Sequence, residues 1–443
     1  MLRVQFLSVS SDCTNRCGLI HKRNNIKMTR SRRQYLRLTG IAGTAVIANV
    51  VGSSATNGES GAKSTARITN QAQTLEQDAI FRGNLQRHGY FPDEKLPESL
   101  DRQWRLDGVN KSNYGAAKSS PVAAPTGDLI IAADTGSIYA VTPEGEVRWS
   151  AATDPSPSGI HGTPVIADGT VYVGAYDGAL YAFDVETGQR RWKTVVAGFI
   201  GSSPAYHDGT IYTAVEFGDP DGSVVAVDAK TGDLEWEATE PTSHPHSTLA
   251  IDTTADILAV GANDGYCYAW HFSDREFAWK FNTGRPIKGP VAIYDGAVFF
   301  GSWDYNVYRV GIDDGEEQWN RSFTTDSTVM SGPAIDTDAG RLYIGSNDNA
   351  LYALDCESGE EQWRYETEGD VMGCPTVTAE HVVFGSNDTN VYVLDKESGE
   401  HVWDYNTSGH VSSTPLVRDG SFYLANRATE SDSGGFYRFG AAE

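Results

Sequence analysis

From residue 120 onward, short apolar runs and polar turns alternate on a fixed cycle. Each cycle opens on a small residue and a proline: Ser120-Pro121, Thr163-Pro164, Ser203-Pro204, Gly289-Pro290, Gly332-Pro333, Cys374-Pro375 and Thr414-Pro415. A short apolar run follows and ends in a turn, often Asp-Gly, as at Asp168-Gly169, Asp208-Gly209, Asp295-Gly296 and Asp419-Gly420. Next comes an alternating strand such as Thr170-Val171-Tyr172-Val173-Gly174, then a polar turn such as Asn347-Asp348-Asn349. A second apolar run, at 180–184 or 351–355, leads through Asp-x-x-Thr/Ser-Gly into a strand carrying Trp. Trp104, Trp149, Trp192, Trp236, Trp279, Trp319, Trp363 and Trp403 hold that position at spacings of 40 to 45 residues.

Each part of the cycle has a local cause. Asp-Gly supplies the positive φ of a two-residue hairpin. The Asp of Asp-x-x-Thr-Gly accepts hydrogen bonds from its own turn, and the Gly takes a left-handed position. Period-two alternation buries every second side chain. The cycle thus predicts four short antiparallel strands. One such sheet cannot bury both faces alone, so the units stack, and radial stacking gives a β-propeller. The repeated Trp is expected to wedge between neighbouring sheets. The first Trp lacks a preceding Pro-turn set and the last set lacks a following Trp. The phase therefore predicts an all-β, eight-bladed propeller of four-stranded blades, with an N-terminal strand around Trp104 completing the last blade. Blade four departs most: Thr248-Leu249 replaces the proline step, and Trp270-His271-Phe272-Ser273-Asp274 replaces the Asp turn.

Composition agrees and adds the chain's environment. The 443 residues include 46 Gly, 21 Tyr and 10 Trp, which suits many short strands with tight turns. Five Cys are too few for a disulfide scaffold. The formal net charge is −24, which argues against nucleic acid as a partner. Residues 1–55 carry nine Lys and Arg against one Asp, so the remainder holds a net −32. That acidity, with few Lys, points to a soluble protein of a salt-loving cell. Ser31-Arg32-Arg33-Gln34-Tyr35-Leu36 matches the twin-arginine export pattern, followed by a weakly apolar stretch and Ser53-Ser54-Ala55. The expected organisation is a misassigned start or extended leader at 1–27, a twin-arginine signal peptide at 28–55, a flexible linker at 56–79 and the propeller at 80–440. No transmembrane helix is expected in the mature chain, which would act outside the cytoplasm or at the cell surface as a monomer.

The full grammar, with Phe81-Arg82-Gly83-Asn84 and His88-Gly89-Tyr90 ahead of it, resembles the PQQ-like (pyrroloquinoline quinone) repeat propeller family over residues 80–440. That resemblance implies the fold. The family includes quinoprotein alcohol dehydrogenases and cofactor-free propellers of the BamB type. This sequence has no adjacent Cys pair, no Cys-x-x-Cys-His haem motif and no long insertions between strands. No catalytic residue carries over, and no cofactor is established. The chain therefore reads as a non-catalytic binding or scaffold module, with a protein or extracellular ligand at one face. The alternative is a small dehydrogenase using PQQ and Ca²⁺ on alcohols or sugars.

In a propeller, the loops entering the innermost strands and the turns between second and third strands share one mouth of the channel. Counting three places before each proline position gives Lys118, His161, Gly201, His246, Ile287, Met330, Met372 and Ser412, with Lys288 one place later in blade five. The turns contribute Asp177, Asp264, Asp304, Asp348 and Asp388, with Trp303 beside Asp304. Lys118, His161, His246 and Lys288 are candidates to hold an anion, Trp303 to stack on a planar group, and Asp304 to help hold a cation. The same Asp residues also suit tight turns.

Overall fold

The computed structural model describes residues 79–111, 119–156, 158–218 and 221–442. The expected leader, export signal and nearly all of the linker lie outside the described residues, as does Lys118. Eight antiparallel sheets follow one another along the chain. Blades one to seven span 122–152, 165–195, 205–238, 250–282, 292–324, 334–366 and 376–406. Blade eight takes three strands from 416–441, and its fourth is Leu100–Asp107, paired antiparallel with Gly435–Ala441. The described residues contain no helix, so no helix long and apolar enough to cross a membrane occurs among them.

The small residue before each proline ties the inner strands into a ring. The amide of Ser120 donates to Thr163 Oγ1 of the next blade, Thr163 to Ser203 Oγ, and Ser203 to Thr248 Oγ1. Gly332 donates to Cys374 Sγ, and Thr414 returns the circle to Ser120 Oγ. Ser and Thr recur here because each carries a short side-chain acceptor that reaches one blade over.

The repeated Trp does the corresponding work further out. Trp149 Nε1 donates to Val185 O of the next blade at 3.0 Å, Trp192 to Ala229 O, Trp279 to Ile312 O and Trp363 to Lys396 O. Each ring lies beneath the left-handed Gly of the neighbouring Asp-x-x-Thr-Gly turn. Gly188, at φ +69°, is placed so that a Cβ would lie 2.5 Å from the Trp149 ring. In blade four the turn starts one residue later than expected. Trp270 and His271 finish the strand Tyr266–His271, Ser273 bonds Asp256, and Arg275 takes the left-handed position at φ 64°. Trp270 is fully buried there and meets Trp236 edge-on at 6.2 Å.

The lead-in to the propeller closes one mouth of the channel. Ala79 O accepts from Ile166 N on blade two's inner strand. Leu85, Gln86, His88 and Gly89 carbonyls then accept from Ile251, Ile293, Ile335 and Val377, on blades four, five, six and seven in turn. Tyr90–Phe91 extends blade seven as a parallel strand before the chain runs out to blade eight. The segment is therefore a spiral washer against the inner strands. Arg82 and Arg87 point inward from it and are buried.

Candidate functional site

The washer leaves the opposite mouth open, where the strand-entry loops and the second turns meet. One repeat position, just before each turn Asp and beyond the end of the second strand, supplies Tyr176 in blade two, Asn263 in blade four, Trp303 in blade five, Asn347 in blade six and Asn387 in blade seven. In blade three the second strand runs two residues longer, Thr210–Glu216 against Thr170–Gly174, and sets Glu216 at this position.

Glu216 is 5% exposed. His246 Nδ1 lies 2.7 Å from its Oε1, and His244 Nδ1 lies 3.3 Å from its Oε2. His244 Nε2 contacts the Phe217 carbonyl at 2.9 Å. A carbonyl only accepts, so Nε2 carries a proton there, and Nδ1 can donate to Glu216 only in the imidazolium form. Burial pushes the Glu216 carboxyl up, but His246, His244 and Lys288 outweigh it and hold the group below its ordinary range. Gly201 makes this convergence possible. A Cβ there would sit 2.9 Å from the His246 ring, 3.0 Å from the Tyr176 hydroxyl and 3.2 Å from Glu216. Tyr176 also packs on His161 at 4.5 Å, and burial with the nearby Glu216 charge pushes its phenol up. Lys288 Nζ stands 4.0 Å over the Trp303 ring. Trp303 Nε1 is buried without a hydrogen-bond partner among the described residues.

His161, His246, Lys288 and Trp303 thus gather on one arc of the mouth, formed by blades two to five. Asp304 is engaged locally: its Oδ1 accepts from Asn306 N, and Tyr308 OH donates to its Oδ2. The same Asp–Tyr bond recurs at Asp177, Asp264, Asp348 and Asp388 with Tyr181, Tyr268, Tyr352 and Tyr392. Sequence reasoning missed Tyr176 and Glu216; it singled out His244, beside Pro245 and His246, only as a candidate metal ligand. The available signal was a carboxylate ending the apolar run Thr213-Ala214-Val215-Glu216, where other blades close on Gly and a small residue. Across the mouth, Arg427 Nη2 reaches Asn387 Oδ1 at 3.4 Å, and burial pushes the Asp370 carboxyl up.

The family model described as outer membrane protein assembly factor BamB matches residues 97–216, 220–337 and 322–434. The chain belongs to this PQQ-like propeller family. Within 214 residues, 46% of the chain, it is 28% identical to 1-butanol dehydrogenase (cytochrome c) of Thauera butanivorans, covering 24% of that protein. It is 26% identical over 203 residues to BamB of Burkholderia pseudomallei, covering 44% of the chain and 49% of that protein. Its matches thus span half or less of these two relatives. Quinohemoprotein alcohol dehydrogenase from Comamonas testosteroni shares the fold, with a TM-score of 0.72 at 14% identity over 86% of the chain and 83% of that structure.

Proposed function

We propose that the chain is an exported, non-catalytic binding module whose open mouth takes an anionic ligand, an acidic segment of a protein partner. The observation that carries this reading is Lys288, with His161, His244 and His246 gathered around Glu216, at the one mouth the washer leaves open, in a chain that is acidic overall. Such an arc focuses an anion into the channel and raises its encounter rate. The family model's description as an assembly factor supports a scaffold role.

A second reading, a small dehydrogenase using PQQ and Ca²⁺, is favoured by the match to the butanol dehydrogenase. The donor set fits that pair poorly. A planar quinone needs a free aromatic face, and Lys288 covers one face of Trp303. Calcium prefers several oxygen ligands, and Glu216 is already shared by two imidazoles. No group of three His, Cys, Asp or Glu placed to hold a metal occurs among the described residues.

Calorimetric titration of the folded chain with a hexaglutamate peptide tests the reading. Saturable binding that weakens with salt, and weakens about tenfold or more in Lys288→Ala, supports it; a tenfold loss corresponds to about 1.4 kcal/mol. One-to-one binding of PQQ with Ca²⁺, together with alcohol-dependent reduction of an artificial electron acceptor, would replace it with the dehydrogenase.

A further inference from the structure

The washer carries two cations into the channel without an acid to meet them. Arg87 is 0% exposed and Arg82 5%. Arg87 meets only backbone carbonyls; Arg82 meets backbone carbonyls and the Cys374 thiol. Arg87 bonds Leu249 O at 3.0 Å, Phe81 O at 2.8 Å and Pro204 O at 3.4 Å. Arg82 bonds Arg87 O at 2.9 Å, Gly332 O at 3.3 Å, His88 O at 3.5 Å and Pro333 O. These carbonyls belong to blades three, four and six and to the washer itself, so both guanidiniums sit near the channel axis.

A guanidinium carries five N–H groups. Four carbonyls and the Cys374 thiol take up the five on Arg82, whereas the bonds on Arg87 use three and leave two without partners among the described residues. The side-chain charge set against Arg87 is Arg82, which repels it. Burial and that repulsion push the Arg87 group down to about 9. The chain also holds both residues in the left-handed region, at φ 65° and 66°, and keeps Gly89 where a Cβ would lie 2.9 Å from Arg82 Nη2. A buried charge needs a compensating partner. Carbonyl dipoles supply part of it; the spare N–H groups point to the rest.

We propose that a small monovalent anion of halide size is held near the channel axis by the two free N–H groups of Arg87, with the Arg82 guanidinium close by, as a built-in part of the fold. This site lies beneath the open mouth and is independent of the ligand proposed there.

Crystals grown with chloride replaced by bromide test it directly. The expected result is an anomalous peak within about 3.5 Å of the Arg87 Nη atoms; ordered guanidiniums with no peak overturn the proposal. In solution, the unfolding midpoint is followed at constant ionic strength as sodium gluconate is replaced by sodium chloride. A saturable rise of about 2–4 °C is expected, because gluconate is too large for the site. Superimposable midpoints in the two salts overturn it. Arg87→Met should remove the rise. If that variant fails to fold, the bromide map and the wild-type titration still decide.

Discussion

Lys396 and Asp336 form the most deeply buried ion pair among the described residues. Lys396 Nζ lies 2.6 Å from Asp336 Oδ2, with side-chain exposures of 11% and 0%. Asp336 closes the inner strand of blade six, and Lys396 follows the third strand of blade seven. The carboxylate also caps its own turn, accepting from Asp338 N and Ala339 N at 3.1 Å each. Replacing Lys396 by Met keeps the aliphatic stem but leaves Asp336 charged and buried without its cation. Removing one partner of a buried pair costs about 3–5 kcal/mol. With a urea slope of about 3 kcal/mol per M, the midpoint should fall by ~1 M or more. Asp336→Asn in the Lys396→Met background removes the stranded charge and retains the amide oxygen for the turn. The double variant should therefore recover about 1–3 kcal/mol. Equilibrium urea unfolding followed by Trp fluorescence, at low and high salt, measures both. A single-variant loss below ~1 kcal/mol, or a double variant no more stable than Lys396→Met, would refute the reasoning. The loss should persist at high salt, since a buried pair is little screened.

Gly188→Ala and Gly209→Ala separate backbone strain from contact. Both glycines have positive φ, but a Cβ meets the Trp149 ring at Gly188 and nothing within 4 Å at Gly209. Gly209→Ala should cost about 1–2 kcal/mol and Gly188→Ala clearly more, read as urea midpoints. Glu216 titrates below its ordinary value of 4.5 in the folded state. It therefore contributes stability above that value, and the contribution is lost as pH falls through the lower folded one. Unfolding midpoints of the wild type should drop more steeply below pH 4.5 than those of Glu216→Gln. Cys267, Cys356 and Cys374 are buried and free, and burial pushes Cys356 up to about 12. A thiol reagent at pH 8 should label them in urea but leave them nearly unreacted in the native protein.

The propeller was legible because its signals are local and repeated. A Trp every 40 to 45 residues, a small residue before Pro and a left-handed Gly each state one contact, and eight repetitions fix the period. Blade four was harder, because its left-handed turn position is filled by Arg275 rather than Gly. The mouth was only partly legible. His161, His246 and Lys288 stood out because they replace the small or apolar residues of other blades. Glu216 did not, because its place depends on a strand two residues longer than its neighbours. The inward course of Arg82 and Arg87 follows from a washer that crosses several inner strands, and no periodicity within the chain encodes such a path.

The seam in blade eight has a kinetic consequence. Leu100 pairs with Ala441 and Asp107 with Gly435, so the ring cannot shut until almost the whole chain has left the ribosome. Contacts of such sequence separation form slowly, after the nearby hairpins have already collapsed. Until then blades one and seven flank an open gap, and Leu100–Asp107 waits as an unpaired strand exposed to other nascent chains. The last seven residues of that blade thus act as a latch. A chain cut short before them would hold seven complete sheets and still be a substrate for edge-to-edge aggregation.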